Sequence, residues 1–214
     1  MMRRDVRAEL GAFLTSASTT EQSKLFCVRG PLLDRAVHAT QAIVRGRPPV
    51  LPAWQRYEGV VWAHLDPATL PADARERLVI PSGLYGVTTG EDLIADYRLK
   101  MSVRLGSLGM LASFWRSPVS GALGRRAAGQ VVVDLLPQEH RAAIDTAVIS
   151  RSATVVSVAF VSSDGRNAAG HAAKAVKGIV ARRVLTDGLS ALEDFEWEGW
   201  TAQRKANGVQ VIAP

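Results

Sequence analysis

Apolar residues recur at helical spacing along the first part of the chain. Val6, Leu10 and Phe13 are separated by three or four residues, which places them on one face of an α-helix. The same spacing continues further along the chain. Together these patterns predict two or three helices within residues 5–14 and 20–43.

Short apolar runs predict the strands. Residues 78–80 are largely β-branched and are followed at once by Pro81, so we expect a buried strand whose ladder ends at this proline. Residues 131–136 are apolar except for one aspartate, which is typical of a central strand. Residues 154–161 are rich in β-branched side chains and predict a further strand.

The segment 97–101 alternates between apolar and basic residues. In an extended chain Tyr97, Leu99 and Met101 lie on one side, and Arg98 and Lys100 lie on the other. We therefore expect one side of this segment to pack and the other to present two positive charges.

The best helical pattern of the chain covers residues 168–185. One broad face is apolar, whereas His171, Lys174 and Gly178 fall on the opposite face, with Lys177 at the border. Glycine costs a helix about 1 kcal/mol relative to alanine, so Gly178 indicates that another group approaches this face closely.

The end of the chain contains a hairpin signal. The pair Asn207-Gly208 is typical of a type I′ turn, and it predicts a β-hairpin over residues 201–212. With the helices and strands above, the sequence predicts a mixed α/β fold. We expect a single domain with a central mixed sheet, helices around that sheet and a C-terminal β-hairpin.

Two glycines bracket a tight turn after the strand at residues 78–80. Gly83 and Gly86 flank Leu84 and Tyr85, and a backbone that turns so sharply needs positive φ or comes close to another group. Either arrangement is expected to leave backbone N–H groups pointing outward.

Charge is the compositional feature that bears on function. The 214 residues carry a net charge of +6 and a sequence pI near 10, which favours a polyanionic partner. Residues 97–126 contain no acidic side chain, and neither do residues 165–186. Each segment alone is compatible with a solvated face, but the two together favour an anion-binding site.

Other compositional features indicate a cytoplasmic protein. No apolar run approaches the roughly 18 residues of a membrane span, and the N-terminal residues lack the apolar core of a signal peptide. Cys27 is the single cysteine, so no internal disulfide can form. Its apolar surroundings predict a buried, inert thiol. The sequence leaves the oligomeric state open.

Several kinds of catalytic site have no matching pattern. No two of the four histidines show the spacing of a helical metal site, so we expect no metal. Ser82 is not part of a nucleophile elbow, and neither a phosphate loop nor a dinucleotide fingerprint is present. Nucleotide hydrolysis and hydride transfer are therefore not expected, and neither is a cofactor.

One block of the sequence resembles a known family. Residues 82–87 read S-G-L-Y-G-V, residues 92–94 read D-L-I, and residues 96–101 read D-Y-R-L-K-M. This block resembles the signature of the YaaA family of peroxide-stress proteins. Shorter matches occur in the family's order, with Tyr57-Glu58-Gly59 upstream of the block and Phe114-Trp115, residues 131–135 and residues 171–178 downstream of it.

The resemblance suggests a division of the chain. It covers residues 54–200 as a family-like core, preceded by a helical part at residues 1–46 and followed by the hairpin and tail at residues 201–214. Relative to the family pattern, the chain begins in the helix that follows a short N-terminal strand, so we expect an N-terminally short member. Asp134 also replaces a frequent asparagine of the family.

Two functions fit the candidate residues. The first is largely sequence-independent DNA binding, in which glycine amides and cations contact phosphates and tyrosines stack on bases. The family resemblance favours it, because that family is associated with DNA binding and with protection against peroxide damage. The predicted DNA or anion contacts are Gly83, Tyr85, Gly86, Tyr97, Arg98, Lys100, His171, Lys174 and Lys177, with Tyr57, Asp96 and Asp134 as further polar groups of the same cleft.

The second function is an enzyme. The same basic cleft would hold a small anionic substrate, with Lys174 or Tyr97 as general acid or base. Both functions remain open at this point, with DNA binding favoured.

Overall fold

The computed structural model describes residues 2–206 and 208–214. The α-helices are α1 Met2–Ser16, α2 Thr19–Phe26, α3 Pro31–Arg45, α4 Ala53–Arg56, α5 Val60–Leu65, α6 Ala72–Arg77, α7 Leu111–Arg126, α8 Gln138–Arg141, α9 Thr146–Ile149 and α10 Gly170–Asp187. The strands are β1 Val50–Pro52, β2 Val79–Ser82, β3 Gly86–Thr89, β4 Leu93–Ala95, β5 Arg104–Leu105, β6 Gly109–Met110, β7 Val131–Asp134, β8 Thr154–Val161, β9 Glu196–Trp197, β10 Trp200–Lys205 and β11 Gly208–Ile212. Short 3₁₀ turns occupy Pro67–Thr69, Gly106–Leu108 and Leu189–Leu192.

The mixed α/β class predicted from the sequence is confirmed, with a mixed sheet and a C-terminal hairpin. Contacts between Cα atoms group the chain into two compact units, which are described one at a time. Unit 1 comprises residues 1–56, 79–123 and 136–148, and unit 2 comprises residues 57–78, 124–135 and 149–214.

Unit 1 begins with three helices, as the hydrophobic spacing predicted. Helix α2 starts with a capping box, in which the Ser18 side chain accepts from the Glu21 N–H and Glu21 accepts from the Ser18 N–H. The helix ends at Phe26, and its C-cap residue Cys27 has a left-handed φ of 55°. The expectation of a buried thiol is wrong, because this turn leaves Cys27 exposed.

The rest of unit 1 contains pairs of short antiparallel strands. Strand β2 pairs with β3, β1 with β4, and β5 with β6. The prediction that the ladder ends at Pro81 is wrong, because Pro81 pairs with Val87 and Ser82 with Gly86. Among the residues that the structure describes, strand β2 has a neighbour on one side only, and such an edge position accepts a residue without an N–H.

Unit 2 contains a five-stranded sheet in the order β7-β8-β11-β10-β9. Strands β7, β8 and β11 run parallel, whereas β10 is antiparallel to both β11 and β9. The predicted strand near residues 131–136 exists, but it lies at the edge of the sheet and Val131 is 55% exposed. An apolar run alone does not distinguish an edge strand from a central one.

The predicted C-terminal hairpin is confirmed. Thr201 pairs with Ile212, and the register continues until Lys205 pairs with Gly208. The predicted type of turn involves Asn207, which lies outside the described residues.

Helix α10 packs on two sides within unit 2. Val176 and Val180 are fully buried in a cluster with sheet residues such as Val211, and Ala181 belongs to a second cluster with Leu65 of α5. The sheet therefore covers one side of α10 and α5 covers another. A long helix held in this way provides a rigid base for the side chains on its remaining exposed side.

Candidate functional site

The glycine-bracketed turn of unit 1 is buried and tightly packed. A Cβ at Gly83 would lie 2.4 Å from the carbonyl oxygen of Leu99, and a Cβ at Gly86 would lie 2.7 Å from the Trp115 ring. Gly86 also has a φ of +77°. The Trp115 indole Nε1 donates to the Gly83 carbonyl at 2.9 Å. Both reasons for glycine that the sequence allowed, positive φ and close approach, therefore apply here.

A network of hydroxyl groups lies beside this turn. The Tyr97 hydroxyl and Ser82 Oγ share a hydrogen bond of 2.7 Å, and the Tyr85 N–H donates to Ser82 Oγ at 3.0 Å. The Ala95 N–H donates to the Tyr85 hydroxyl at 2.9 Å. The rings of Tyr85 and Tyr97 meet edge to face with centroids 5.7 Å apart. The Tyr85 amide therefore donates within the turn and does not point outward.

The segment after the network presents cations to solvent. Leu99 and Met101 are buried while Arg98 and Lys100 are exposed, so the predicted alternation is confirmed. Arg98 Nε donates to the Phe26 carbonyl at 3.3 Å, which ties the extended segment to the end of α2. Asp96 is neutralised by Arg35 Nε at 2.8 Å.

Helix α10 of unit 2 carries the second set of predicted contacts. His171 and Lys174 are exposed, and the Lys177 ammonium lies 5.0 Å from the centroid of the Phe160 ring. The close approach predicted at Gly178 is confirmed, because a Cβ there would lie 2.4 Å from the Val61 carbonyl oxygen of α5.

A residue that the sequence did not single out lies next to this set. The His64 ring is 6.4 Å from the His171 ring and 5.9 Å from the Trp197 ring, measured between centroids. Its Nδ1 lies 2.9 Å from the Val60 carbonyl oxygen, so Nδ1 carries the proton in that bond. The two histidines are on different helices, and only the glycine contact between α5 and α10 could have indicated their proximity.

The remaining polar candidates of unit 2 are Tyr57 and Asp134. The Tyr57 ring stacks on Trp62, with centroids 5.1 Å apart and an interplanar angle of 15°. Asp134 is buried at the end of β7, opposite Ser157 in the sheet register.

The structure therefore divides the predicted residues into two groups. The Tyr85 group, in unit 1, consists of Gly83, Tyr85, Gly86, Asp96, Tyr97, Arg98 and Lys100. The α10 group, in unit 2, consists of Tyr57, Asp134, His171, Lys174 and Lys177. That both groups bind one ligand stays a prediction.

The cations of the two acid-free segments fall into two classes, those that form an ion pair with a carboxylate and those that do not. Within residues 2–206 and 208–214, Arg98, Lys100 and Lys174 form no ion pair with a carboxylate. Other cations of these segments are neutralised, for example Arg183 by Asp187 at 3.7 Å. Unpaired exposed cations are the ones available to an external anion.

Arg166 is a second neutralised cation. Its Nε donates to Asp164 at 2.6 Å. This hydrogen bond, together with one from Ser162, lowers the pKa of Asp164 to about 2. The carboxylate therefore stays ionised at neutral pH and balances the charge of Arg166.

The described part of the chain has neither a cluster of metal-binding side chains nor a membrane-spanning helix. Its His, Cys, Asp and Glu residues include no group of three or more placed to hold a metal ion. No described helix is long and apolar enough to cross a membrane.

These observations define a mixed α/β protein with unpaired cations on two packed scaffolds. Residues 2–206 match the family model of the peroxide stress protein YaaA, and the chain belongs to that family. The resemblance found in residues 82–101 is thereby confirmed.

Curated relatives agree with this assignment. A UPF0246 protein of Streptomyces coelicolor is 36% identical over 162 residues, covering 69% of this chain and 61% of that protein. A UPF0246 protein of Bordetella petrii is 34% identical over 168 residues, covering 73% and 64%. One from Bacteroides thetaiotaomicron is 29% identical over 206 residues, covering 90% and 80%. The chain spans less than two thirds of the length of the first two relatives.

Proposed function

We propose that this protein binds DNA without reading its sequence, in the cytoplasm, and that this binding protects the DNA during peroxide stress. The observation that carries the proposal is the set of exposed, unpaired cations Arg98, Lys100 and Lys174. A cation that already has a carboxylate partner gains little from a phosphate, whereas an unpaired one exchanges mobile counterions for a fixed phosphate.

The geometry of each group supports this proposal in a different way. Arg98 and Lys100 project from the same side of one extended segment whose other side is anchored by Leu99 and Met101. Lys174 projects from a helix packed on both a sheet and a second helix. Because the backbone under these cations is already fixed by packing, only their side chains must be ordered when a ligand binds.

The buried glycine turn has a supporting role in this proposal. Because Gly83 and Gly86 pack against Leu99 and Trp115, they position the segment that carries Arg98. Phosphate contacts are therefore assigned to side chains, with the turn as their scaffold.

The decisive measurement is DNA affinity as a function of salt. Fluorescence anisotropy with a labelled duplex, titrated at several salt concentrations, gives the number of counterions released. We expect R98A and K174A each to reduce the magnitude of the salt slope by about one ion. The double variant should reduce it by about two if both residues contact the same duplex.

Arg183→Ala is the matched control. It removes the same unit of charge from α10 as Lys174→Ala, but Arg183 is already paired with Asp187. The slope of R183A should stay close to that of the unchanged protein. Slopes that fall equally in R98A, K174A and R183A would reject contacts at the unpaired cations and leave only a net-charge effect.

A second candidate function is an enzyme acting on a small anionic substrate. The hydrogen bond of 2.7 Å between buried Ser82 and Tyr97 favours it, since a fixed hydroxyl pair is suited to proton transfer. The two functions differ in their response to Tyr97→Phe. Loss of the hydroxyl would abolish catalysis, whereas DNA affinity and its salt slope should change little.

A further inference from the structure

A cavity of about 230 Å³ lies in unit 1 beside the N-terminal helix α1. Three arginines of that helix, Arg3, Arg4 and Arg7, are among its lining residues. Pro48 and Leu84 contribute an apolar part of its wall. None of the three arginines belongs to the Tyr85 group or the α10 group.

Arg3 is held in a fixed orientation. Its Nε donates to the Tyr85 carbonyl at 3.0 Å and its Nη2 to the Val87 carbonyl at 3.1 Å. The guanidinium carbon lies 5.7 Å from the centroid of the Tyr85 ring. Two bonds and a ring contact fix the plane of this guanidinium before any ligand arrives, which reduces the entropy lost on binding.

Arg4 and Arg7 lack a neutralising partner. Among residues 2–206 and 208–214, neither forms an ion pair or a side-chain hydrogen bond. Arg3 and Arg7 are four residues apart on one helix, where like charges repel by a few tenths of a kcal/mol. An anion between the three guanidinium groups would remove this repulsion.

We propose that this cavity binds a small phosphomonoester. Guanidinium groups bind phosphate oxygens through paired N–H donors, and the three positive charges more than balance the two negative charges of a phosphate dianion. The apolar wall favours a ligand with a carbon skeleton over a bare ion. The volume lies below the roughly 300–1,000 Å³ typical of drug-sized ligands, so the organic part is about the size of a pentose. Both a free sugar phosphate and the 5′-phosphate end of a nucleic acid have this chemistry.

Calorimetric titration of the full chain tests the proposal with three probes: ribose 5-phosphate, inorganic phosphate and ribose. We expect ribose 5-phosphate to bind, inorganic phosphate to bind at least tenfold more weakly, and ribose not to bind. Arg4→Gln combined with Arg7→Gln should weaken ribose 5-phosphate at least tenfold. Arg3 is left unchanged in this variant because its bonds to Tyr85 and Val87 contribute to the fold.

Arg29→Gln is the matched control, because Arg29 is also exposed and lies outside the cavity. It should bind ribose 5-phosphate like the unchanged protein. The proposal is overturned if ribose 5-phosphate does not bind, if R4Q/R7Q binds it unchanged, or if R29Q loses as much affinity. Equal affinity for inorganic phosphate would overturn the assignment of the apolar wall.

Competition distinguishes the two sources of the phosphomonoester. If a duplex with 5′-phosphate ends displaces ribose 5-phosphate and the same duplex without end phosphates does not, the cavity is a site for nucleic acid ends. Displacement by neither duplex assigns it to a free sugar phosphate. Equal displacement by both would show that duplex DNA covers the cavity without its end phosphate entering it, which rejects nucleic acid ends as the ligand. The titrations with ribose 5-phosphate and the R4Q/R7Q variant involve no DNA, so their failure is distinguishable from a failure of the DNA-binding proposal, which rests on Arg98, Lys100 and Lys174.

Discussion

Close packing at glycine has a different role in the Tyr85 group than in the α10 group. In the Tyr85 group the tight contacts involve the predicted ligand-binding residues themselves, because Gly83 and Gly86 pack inward and the hydroxyls bond to one another. In the α10 group the tight contact at Gly178 holds the helix, and the candidate cation Lys174 faces solvent. Substitutions at the glycines and hydroxyls of the first group should therefore affect stability first, whereas cation substitutions in the second should affect binding alone.

The largest expected effect is at Gly178. In Gly178→Ala the new Cβ would lie within 3.0 Å of the Val61 carbonyl oxygen, the His64 Cβ and the Leu65 amide nitrogen. Because two of these obstacles are backbone atoms, the helices must separate, and we expect a loss of about 3 kcal/mol. Chemical denaturation monitored by circular dichroism measures it.

Gly11→Ala is the control for Gly178→Ala. Gly11 also lies inside a helix, but its added Cβ would meet only the Val44 side chain, at 3.2 Å. Alanine has the higher helix propensity, so this variant should be unchanged or more stable by up to about 1 kcal/mol. Equal losses in G178A and G11A would contradict the close contact between α5 and α10.

Gly86→Ala should have the next largest effect. The substitution combines a left-handed φ of +77° with a Cβ placed 2.7 Å from the Trp115 ring. Left-handed strain costs an ordinary residue roughly 1–2 kcal/mol and overpacking adds about 1, so we expect a loss of about 2–3 kcal/mol. Gly129 has a similar φ of +73° with open space around it. Gly129→Ala should therefore lose only the strain term, and the difference between the variants measures the packing against Trp115.

The hydroxyl network should give a smaller effect. Ser82→Ala removes the acceptor of the Tyr85 N–H and the partner of the Tyr97 hydroxyl, so we expect a loss of about 1–2 kcal/mol. Tyr97→Phe should cost about 1 kcal/mol, and the double variant should cost less than the sum. Additive losses would show that the two hydroxyls do not interact in solution.

Local periodicity accounts for the parts of the fold that the sequence predicted well. The helices α1 to α3, the hairpin and the burial of Leu99 follow from contacts between neighbours in sequence. The edge position of β7 depends on the order of strands, which no local pattern encodes. The apolar neighbours of Cys27 predicted a buried thiol. The left-handed backbone of Cys27 itself, directly after α2, turns its side chain outward instead.

The sequence predicted which residues belong to the candidate site better than it predicted which way they face. The family block identified Gly83, Gly86 and Arg98, and the alternation of residues 97–101 predicted that Arg98 faces outward, but only the three-dimensional structure shows that the glycines face inward. His64 was missed because its neighbour His171 is on another helix. Contacts between elements that are distant in sequence can be predicted only where a residue such as Gly178 indicates a close approach.

The smallest expected effect on DNA binding is that of removing Arg166, a cation that already has a carboxylate partner. The pKa of Asp164 is about 2, below the ordinary 3.8, so the stabilising contact with Arg166 is complete above pH 3.8 and is lost as the pH falls through 2. Arg166→Ala should raise that pKa toward 3.8, as measured by carboxyl NMR titration. Arg166→Ala removes the same unit of charge as Lys174→Ala, yet it should leave the DNA salt slope nearly unchanged, because the arginine it removes is already neutralised. A fall of a full ion in R166A would mean that Asp164 does not shield Arg166 from DNA, and ion pairing could then no longer be used to identify the binding cations.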